Sequence, residues 1–253
     1  NTMEVADFEK MEEIRSRVDS VVEDTEAAES LKPYYRQFCK RPCFHDEYLQ
    51  TFNRPNVTLV DTQGGGVDRV TERGVVSGGV EYEVDCIIFA TGFEVGTSYT
   101  RRCGYDLIGR DGITLSDKWA DGAMTLHGMQ SRGFPNCLFM GHVQSAFTAN
   151  YPHLLDEQAR HLAYIVEQAR AKNARTIEAS EAAENDWVQT ILKEAHMMRR
   201  FFEDCTPGYY NNEGRPGDRS AQDGAYGGGS LRFFQLLADW RANGELEGLE
   251  LTA

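Results

Sequence analysis

The stretch Asp85-Cys86-Ile87-Ile88-Phe89-Ala90-Thr91-Gly92-Phe93 (DCIIFATGF) decides the reading of the fold. Cys86 to Phe89 form a short continuous apolar run, the pattern of a strand buried on both faces in a parallel sheet. The run stops at Ala90-Thr91-Gly92, where small residues let a ligand approach the backbone. Open α/β sheets bind ligands beyond the carboxyl ends of their strands. Ala90, Thr91 and Gly92 are therefore candidate cofactor contacts, with the Thr91 hydroxyl as a donor. A tight strand-to-loop turn selected for packing is the alternative explanation of the same residues.

Working outward, Val80 to Val84, Gly74 to Val76 and Arg69 to Thr71 suggest a small meander with glycine-bearing turns, and Asn56 to Asp61 (NVTLVD) a short strand. Residues 7 to 31 predict a helix with Phe8, Met11, Ile14, Val18 and Val21 on one stripe. Pro33 ends it, and Tyr34 to Pro42 (YYRQFCKRP) follows as a basic, aromatic stretch. On the other side, the turn Phe134-Pro135-Asn136 introduces a second predicted strand, Cys137 to Gly141. The loop Gln144 to Tyr151 then leads into a helix from about Pro152 to Ala171, with proline in its first turn and Asp156-Glu157 complementing its dipole. A further helix, about Glu181 to Glu203, carries Trp187, Ile191, Ala195, Met198 and Phe202 on one face. Another runs from Leu231 to Asn243.

The chain has 253 residues, 41% of them hydrophobic, enough for a sizeable core. Its formal net charge of -14 argues against a nucleic-acid partner, which needs a basic face. No apolar run approaches the ~20 residues that span a bilayer, so no membrane partner is expected and a soluble, cytosolic protein is. No G-x-S-x-G or H-E-x-x-H occurs, so the histidines read as structural and no metal site is expected. Nor is there a G-x-G-x-x-G between a strand and a helix. Gly64-Gly65-Gly66 and Gly227-Gly228-Gly229 read as loops.

Several segments together resemble the Baeyer–Villiger monooxygenases, class B flavoproteins with an FAD domain and an NADP domain. Lys40-Arg41-Pro42 followed by Tyr48 to Val57 (YLQTFNRPNV) is similar to the family's K-R-x…Y-x-x-x-F-N-R-x-N-V block. Asp85 to Phe93 is similar to its D-x-x-x-x-A-T-G-F segment. Lys118-Trp119-Ala120, Gly133-Phe134-Pro135-Asn136 and Glu157-Gln158 match in order and spacing, and Cys205 to Gly214 (CTPGYYNNEG) resembles the branch acting on large cyclic ketones. The D-x-x-x-x-A-T-G element alone occurs in many flavoproteins; the ordered set is specific.

The resemblance implies an α/β fold: the C-terminal part of a two-dinucleotide-binding-domain, Rossmann-like flavoprotein. Residues 1–84 would come from the NADP-binding domain with a helical insertion. Residues 85–253 would come from the FAD-binding domain with a helical extension. It implies FAD and NADPH as cofactors, a ketone and O2 as substrates, and an ester or lactone as product. Arg41 falls at the family's active-site arginine. Its guanidinium would stabilise an anionic oxygen nucleophile and the tetrahedral adduct that nucleophile forms with the ketone. Lys40 would contact the 2′-phosphate of NADP. The loop from Gln144 to Tyr151, at a helix N-terminus, would face the flavin, with Gln144 and Tyr151 as cofactor contacts. Tyr209 falls where related enzymes place a tryptophan against the nicotinamide. The family's glycine-rich fingerprints are not in this chain, so an N-terminal half is an expected partner. Two alternatives stay open: an N- or S-oxygenating class B flavoprotein, which would not need Arg41 beside the flavin, and a cofactor-free fragment or partner chain.

Overall fold

The computed structural model of the chain describes residues 2–92, 98–211, 213–215, 217 and 221–253, with side chains except at residues 3 and 196–199. Phe93 and the side chain of Met198, both read from the sequence, lie outside the described residues. The chain divides into two compact units, Asn1–Glu94 and Val95–Ala253.

In the first unit the long predicted helix is two helices, α1 (Thr2–Val21) and α2 (Thr25–Leu31). The break has a local cause. Asp24 caps α2, its carboxylate accepting from the Ala27 amide at 2.8 Å. Asn53, after the short α3 (Tyr48–Thr51), donates to the Val21 carbonyl at 2.7 Å and accepts from the Glu23 amide at 3.0 Å. The turn lets Val18 and Val22 meet Ala28, with Leu31, Leu49 and Phe52 packed against them. Phe8, placed on the apolar stripe by periodicity, is 54% exposed.

The predicted meander is present as β1 (Arg69–Val70), β2 (Gly74–Ser77) and β3 (Val80–Glu83), antiparallel, with Val75 opposite both Val70 and Tyr82. Gly78 and Gly79 turn β2 into β3 with φ of +58° and +79°, as a two-residue primed hairpin requires. No strand covers Asn56 to Asp61 or Cys86 to Phe89 among the described residues. Ile88 and Phe89 are 85% and 76% exposed, so the expectation of a buried strand there is corrected. An apolar run reports how much surface a segment can bury. A strand also needs neighbours for its ladder, and none among the described residues pairs with this one.

The second unit begins with two short helices, α4 (Tyr99–Cys103) and α5 (Leu115–Lys118). Its main body is α6 (Tyr151–Ala171), β4 (Thr176–Ala179), α7 (Glu181–Glu194), α8 (His196–Glu203), α9 (Ser230–Asn243) and β5 (Leu249–Thr252). Asn150 caps α6 ahead of Pro152, and Ser180 caps α7. The predicted helix from Glu181 to Glu203 thus divides at Ala195. Leu154 and Leu162 of α6, Trp187 and Ile191 of α7, and Phe233 and Leu237 of α9 share one core with Leu126, Met129 and Tyr226. β4 and β5 pair antiparallel, Ile177 opposite Leu251. Cys137 to Gly141, read as a strand, forms no ladder. Phe139 is instead buried among Leu115, Trp119 and Phe134 as part of an irregular path. No helix among the described residues is long and apolar enough to cross a membrane.

One buried ion pair ties these pieces together. Glu184 of α7, 1% exposed, receives Lys118 Nζ at 2.8 Å on one carboxylate oxygen. The other oxygen receives Ser131 Oγ at 3.1 Å and the Arg132 amide at 2.8 Å. Removing one charge strands the other in the core. Lys118→Met should therefore lower unfolding stability by about 3–5 kcal/mol, and adding Glu184→Gln should recover much of that loss. Urea unfolding measures both; a Lys118→Met chain as stable as its parent would contradict the assignment.

Two buried histidines set an acid limit. His127 packs edge-on to Trp187 at 4.9 Å, and His161 of α6 lies 4.8 Å from Trp240. Burial pushes His127 down to about 4. Burial, then the neighbouring His127 and Arg241, push His161 down to about 3. The unfolded chain takes up these protons below about 6.5 and the folded chain does not. Stability is thus full above that pH and falls as pH drops toward 4 and 3. His161→Phe should flatten the decline of thermal midpoint between pH 6.5 and 4; an unchanged slope would assign the acid sensitivity elsewhere.

Candidate functional site

In the first unit the basic stretch is strapped along α1. Asp7 accepts from Arg36 Nε at 2.9 Å with one oxygen and from the Gln37 amide at 3.0 Å with the other. Arg15 donates to the Pro33 carbonyl at 3.0 Å, and its guanidinium lies 5.3 Å from the Tyr34 ring centre. The strap ends in a single 3-10 turn, Gln37–Cys39, with Cys39 buried. Lys40 and Arg41 follow at once. Lys40 is half-buried with its ammonium 5.6 Å from the Tyr35 ring centre, a cation–π distance, and Arg41 is exposed. Burial, with smaller contributions from Cys43 and Tyr48, raises the Tyr35 phenol above its ordinary range, which keeps that ring neutral beneath the ammonium.

Ala90, Thr91 and Gly92 also lie in this unit, exposed and outside any strand. Gly92 has φ +91°, and a side chain there would meet no atom within 4 Å. Its glycine is thus required by backbone conformation, and the main chain beside it is open to approach.

In the second unit, residues 141–151 form a held loop running into α6. Gln158 of α6, fully buried, donates to the Gly141 carbonyl at 2.9 Å and accepts from the Gly141 amide at 3.0 Å. Ser145 donates its hydroxyl to the same carbonyl. Gln144, with φ +53° and no exposed surface, accepts from Thr125 Oγ1 at 2.5 Å. Its amide nitrogen donates to the carbonyls of Ala123 at 2.5 Å and Gln222 at 3.0 Å. The Trp187 indole donates to the Gln144 carbonyl at 3.0 Å. The Gln144 side chain is therefore spent inside the protein. Tyr151, the first residue of α6, is 41% exposed.

Tyr209 is brought to this loop through its neighbour. Its ring lies 4.3 Å from that of Tyr210, which meets the exposed Phe147 edge-on at 5.7 Å. Asn211 holds the turn in place. Its amide nitrogen donates to the carbonyls of Phe202, Cys205 and Thr206, while its oxygen accepts from the amides of Gly208 and Gly214. The sequence reading gave no structural role to Asp7, Gln158 or Asn211. The signal for Asn211 was present in a turn-rich CTPGYYNNEG segment, where asparagine closes backbone turns. His153, Asp156 and Glu157 on α6 place ligand atoms within 4.8 Å of one another, but Arg160 engages both carboxylates and Arg241 also reaches Glu157.

The first unit thus holds Lys40 and Arg41 at the end of an anchored turn, together with the open Ala90–Gly92 segment. The second joins the Gln144–Tyr151 loop to Tyr209. No family model matches the chain. Among curated proteins it is 58% identical over 250 residues to pentalenolactone D synthase of Streptomyces arenae, covering 98% of this chain and 42% of that protein. It is 49% identical over 240 residues to a Baeyer–Villiger monooxygenase of Streptomyces coelicolor, covering 94% of the chain and 39% of the relative. The fold superposes on a polycyclic ketone monooxygenase from Thermothelomyces thermophila with TM-score 0.91 at 38% identity, covering 98% of this chain and 40% of that one. Cyclohexanone monooxygenase from Rhodococcus sp. Phi1, solved bound to NADP+, matches with TM-score 0.81 at 29% identity over 99% of this chain and 46% of that one. The chain therefore spans less than half the length of the relatives it matches. By sequence and by fold, it belongs with the C-terminal part of the Baeyer–Villiger monooxygenases.

Proposed function

We propose that this chain, as part of a longer enzyme, serves the FAD- and NADPH-dependent oxidation of cyclic ketones by O2 to esters or lactones, with an N-terminal half as its partner. The observation that carries the reading is the Lys40-Arg41 pair, set at the end of a turn anchored to α1 within a block that resembles the family's. Relatives named for cyclohexanone and polycyclic ketones support a cyclic substrate.

The residues fit the implied cofactors. Lys40 and Arg41 supply the positive charge that a phosphate or a developing anion needs, and Gly92 leaves open main chain beside Thr91. Reduced flavin, when bound, supplies the activation of dioxygen. Arg41 remains protonated at any working pH and holds negative charge as the ketone carbon becomes tetrahedral. Lys40 holds the extra phosphate that distinguishes NADPH from NADH. The loop at the α6 N-terminus presents Tyr151 to the cofactor, while Gln144 acts from inside by fixing that loop. Tyr209 offers an aromatic face on the same side of the unit, through Tyr210 and Phe147.

In the whole enzyme, Arg41→Ala should leave flavin bound and lower ester formation ~10²–10³-fold, with NADPH spent and peroxide released instead. Arg41→Lys should restore little, because an ammonium lacks the planar fork of donors. Following ester, NADPH and peroxide together tests this; coupled ester formation at the parent rate would sink the role of Arg41. Lys40→Ala should weaken NADPH ~10-fold or more while leaving NADH near the parent value, as expected for one lost charge contact to a phosphate. Equal losses for the two cofactors, compared by their KM values, would remove Lys40 from the phosphate site.

A further inference from the structure

Lys40 and Arg41 follow a 3-10 turn whose preceding residue, Arg36, makes no capping hydrogen bond of its own side chain. The cap comes from a different element. Asp7, in the second turn of α1, receives the Gln37 amide at 3.0 Å on one oxygen and Arg36 Nε at 2.9 Å on the other. The side chains of this pair are 13% and 21% exposed, so the contact is shielded and weakly screened. A carboxylate accepting a backbone amide and a guanidinium together fixes both the start of the turn and the direction in which the chain leaves it.

We infer that Asp7 is a positioning residue for the oxygenation site: by capping the Gln37–Cys39 turn from α1, it sets the placement of Lys40 and Arg41. The inference rests on the roles proposed above for those two residues. Both carboxylate oxygens of Asp7 are committed to residues 36 and 37, so its role is positioning and not contact with substrate or cofactor. It acts by holding the backbone from which the two cations project, and catalytic groups lose rate steeply when displaced by about 1 Å.

The test uses the whole enzyme loaded with flavin, comparing Asp7→Asn, Asp7→Ala, Lys40→Ala, Arg41→Ala and Asp24→Ala. Asp7→Ala should reduce the preference for NADPH over NADH and raise peroxide released per NADPH consumed, with ester formation down ~10–100-fold. Asp7→Asn retains an acceptor for the Gln37 amide but loses the charge, and should fall between Asp7→Ala and the parent. Asp24→Ala removes the cap of α2 without touching the strap, so it should lower the thermal midpoint and leave cofactor preference and coupling unchanged. Parent-like preference and coupling in both Asp7 variants, with Lys40→Ala and Arg41→Ala impaired, would overturn the positioning role alone. Unimpaired Lys40→Ala and Arg41→Ala would overturn the functional assignment and the inference with it. Should Asp7→Ala lose flavin, the isosteric Asp7→Asn decides: unchanged preference and coupling reject the role of Asp7.

Discussion

Residues 119–150 cross the second unit without a helix or an extended strand, so their buried peptide groups have no regular ladder to satisfy them. Side chains do that work. Gln144 binds two carbonyls and a hydroxyl, Gln158 closes both polar groups of Gly141, and Glu184 takes the Arg132 amide and the Ser131 hydroxyl. An irregular path held in this way is as fixed as a strand, and its course is free to pass where a ligand must be met. The regular elements around it, α6, α7 and α9, provide the walls. The loop between them carries the residues assigned to the cofactor.

The regular walls were legible because their signals are local. α6 announces itself by Pro152 in its first turn and by Asp156-Glu157; the β2–β3 hairpin does so by two glycines at the turn. The joints were not legible. The break between α1 and α2 depends on Asn53, thirty residues away, reaching back to Val21 and Glu23. β4 and β5 are four-residue strands whose partners lie seventy or more residues apart, and each carries a glutamate that breaks any apolar run. For Cys86 to Phe89 the apolar run gave the surface to be covered, and the exposure of Ile88 and Phe89 shows that this unit does not cover it.

The candidate site divides along the same line. Lys40, Arg41, Thr91 and Gly92 were visible because their types carry chemistry and their order is shared with a family. What holds them was invisible. Asp7 reads as one acidic residue among many on an acidic helix, and only the fold shows both its oxygens committed to residues 36 and 37. Gln144 illustrates the converse. It was expected as a cofactor contact, but its side-chain amide is committed to the Ala123 and Gln222 carbonyls inside the unit, so what it holds is the backbone of the loop.

The two units therefore hold their candidate segments by different physics. In the second, neutral amides and hydroxyls secure the 141–151 loop, and such bonds change little with salt or with pH across the working range. In the first, ion pairs line the strap that leads to Lys40 and Arg41: Asp7 to Arg36, Glu12 to Arg15, and Asp19 and Glu29 to Lys32. An acidic helix facing a basic strap suits a chain of net charge -14, because the cations that shape the strap are paired within it. Most of these pairs have an exposed carboxylate and are worth little singly. Asp7–Arg36 is the shielded one, with both partners mostly covered, and it grips the main chain as well as a side chain. Among the ion pairs of the strap, Asp7–Arg36 thus constrains its main chain directly, through the Gln37 amide.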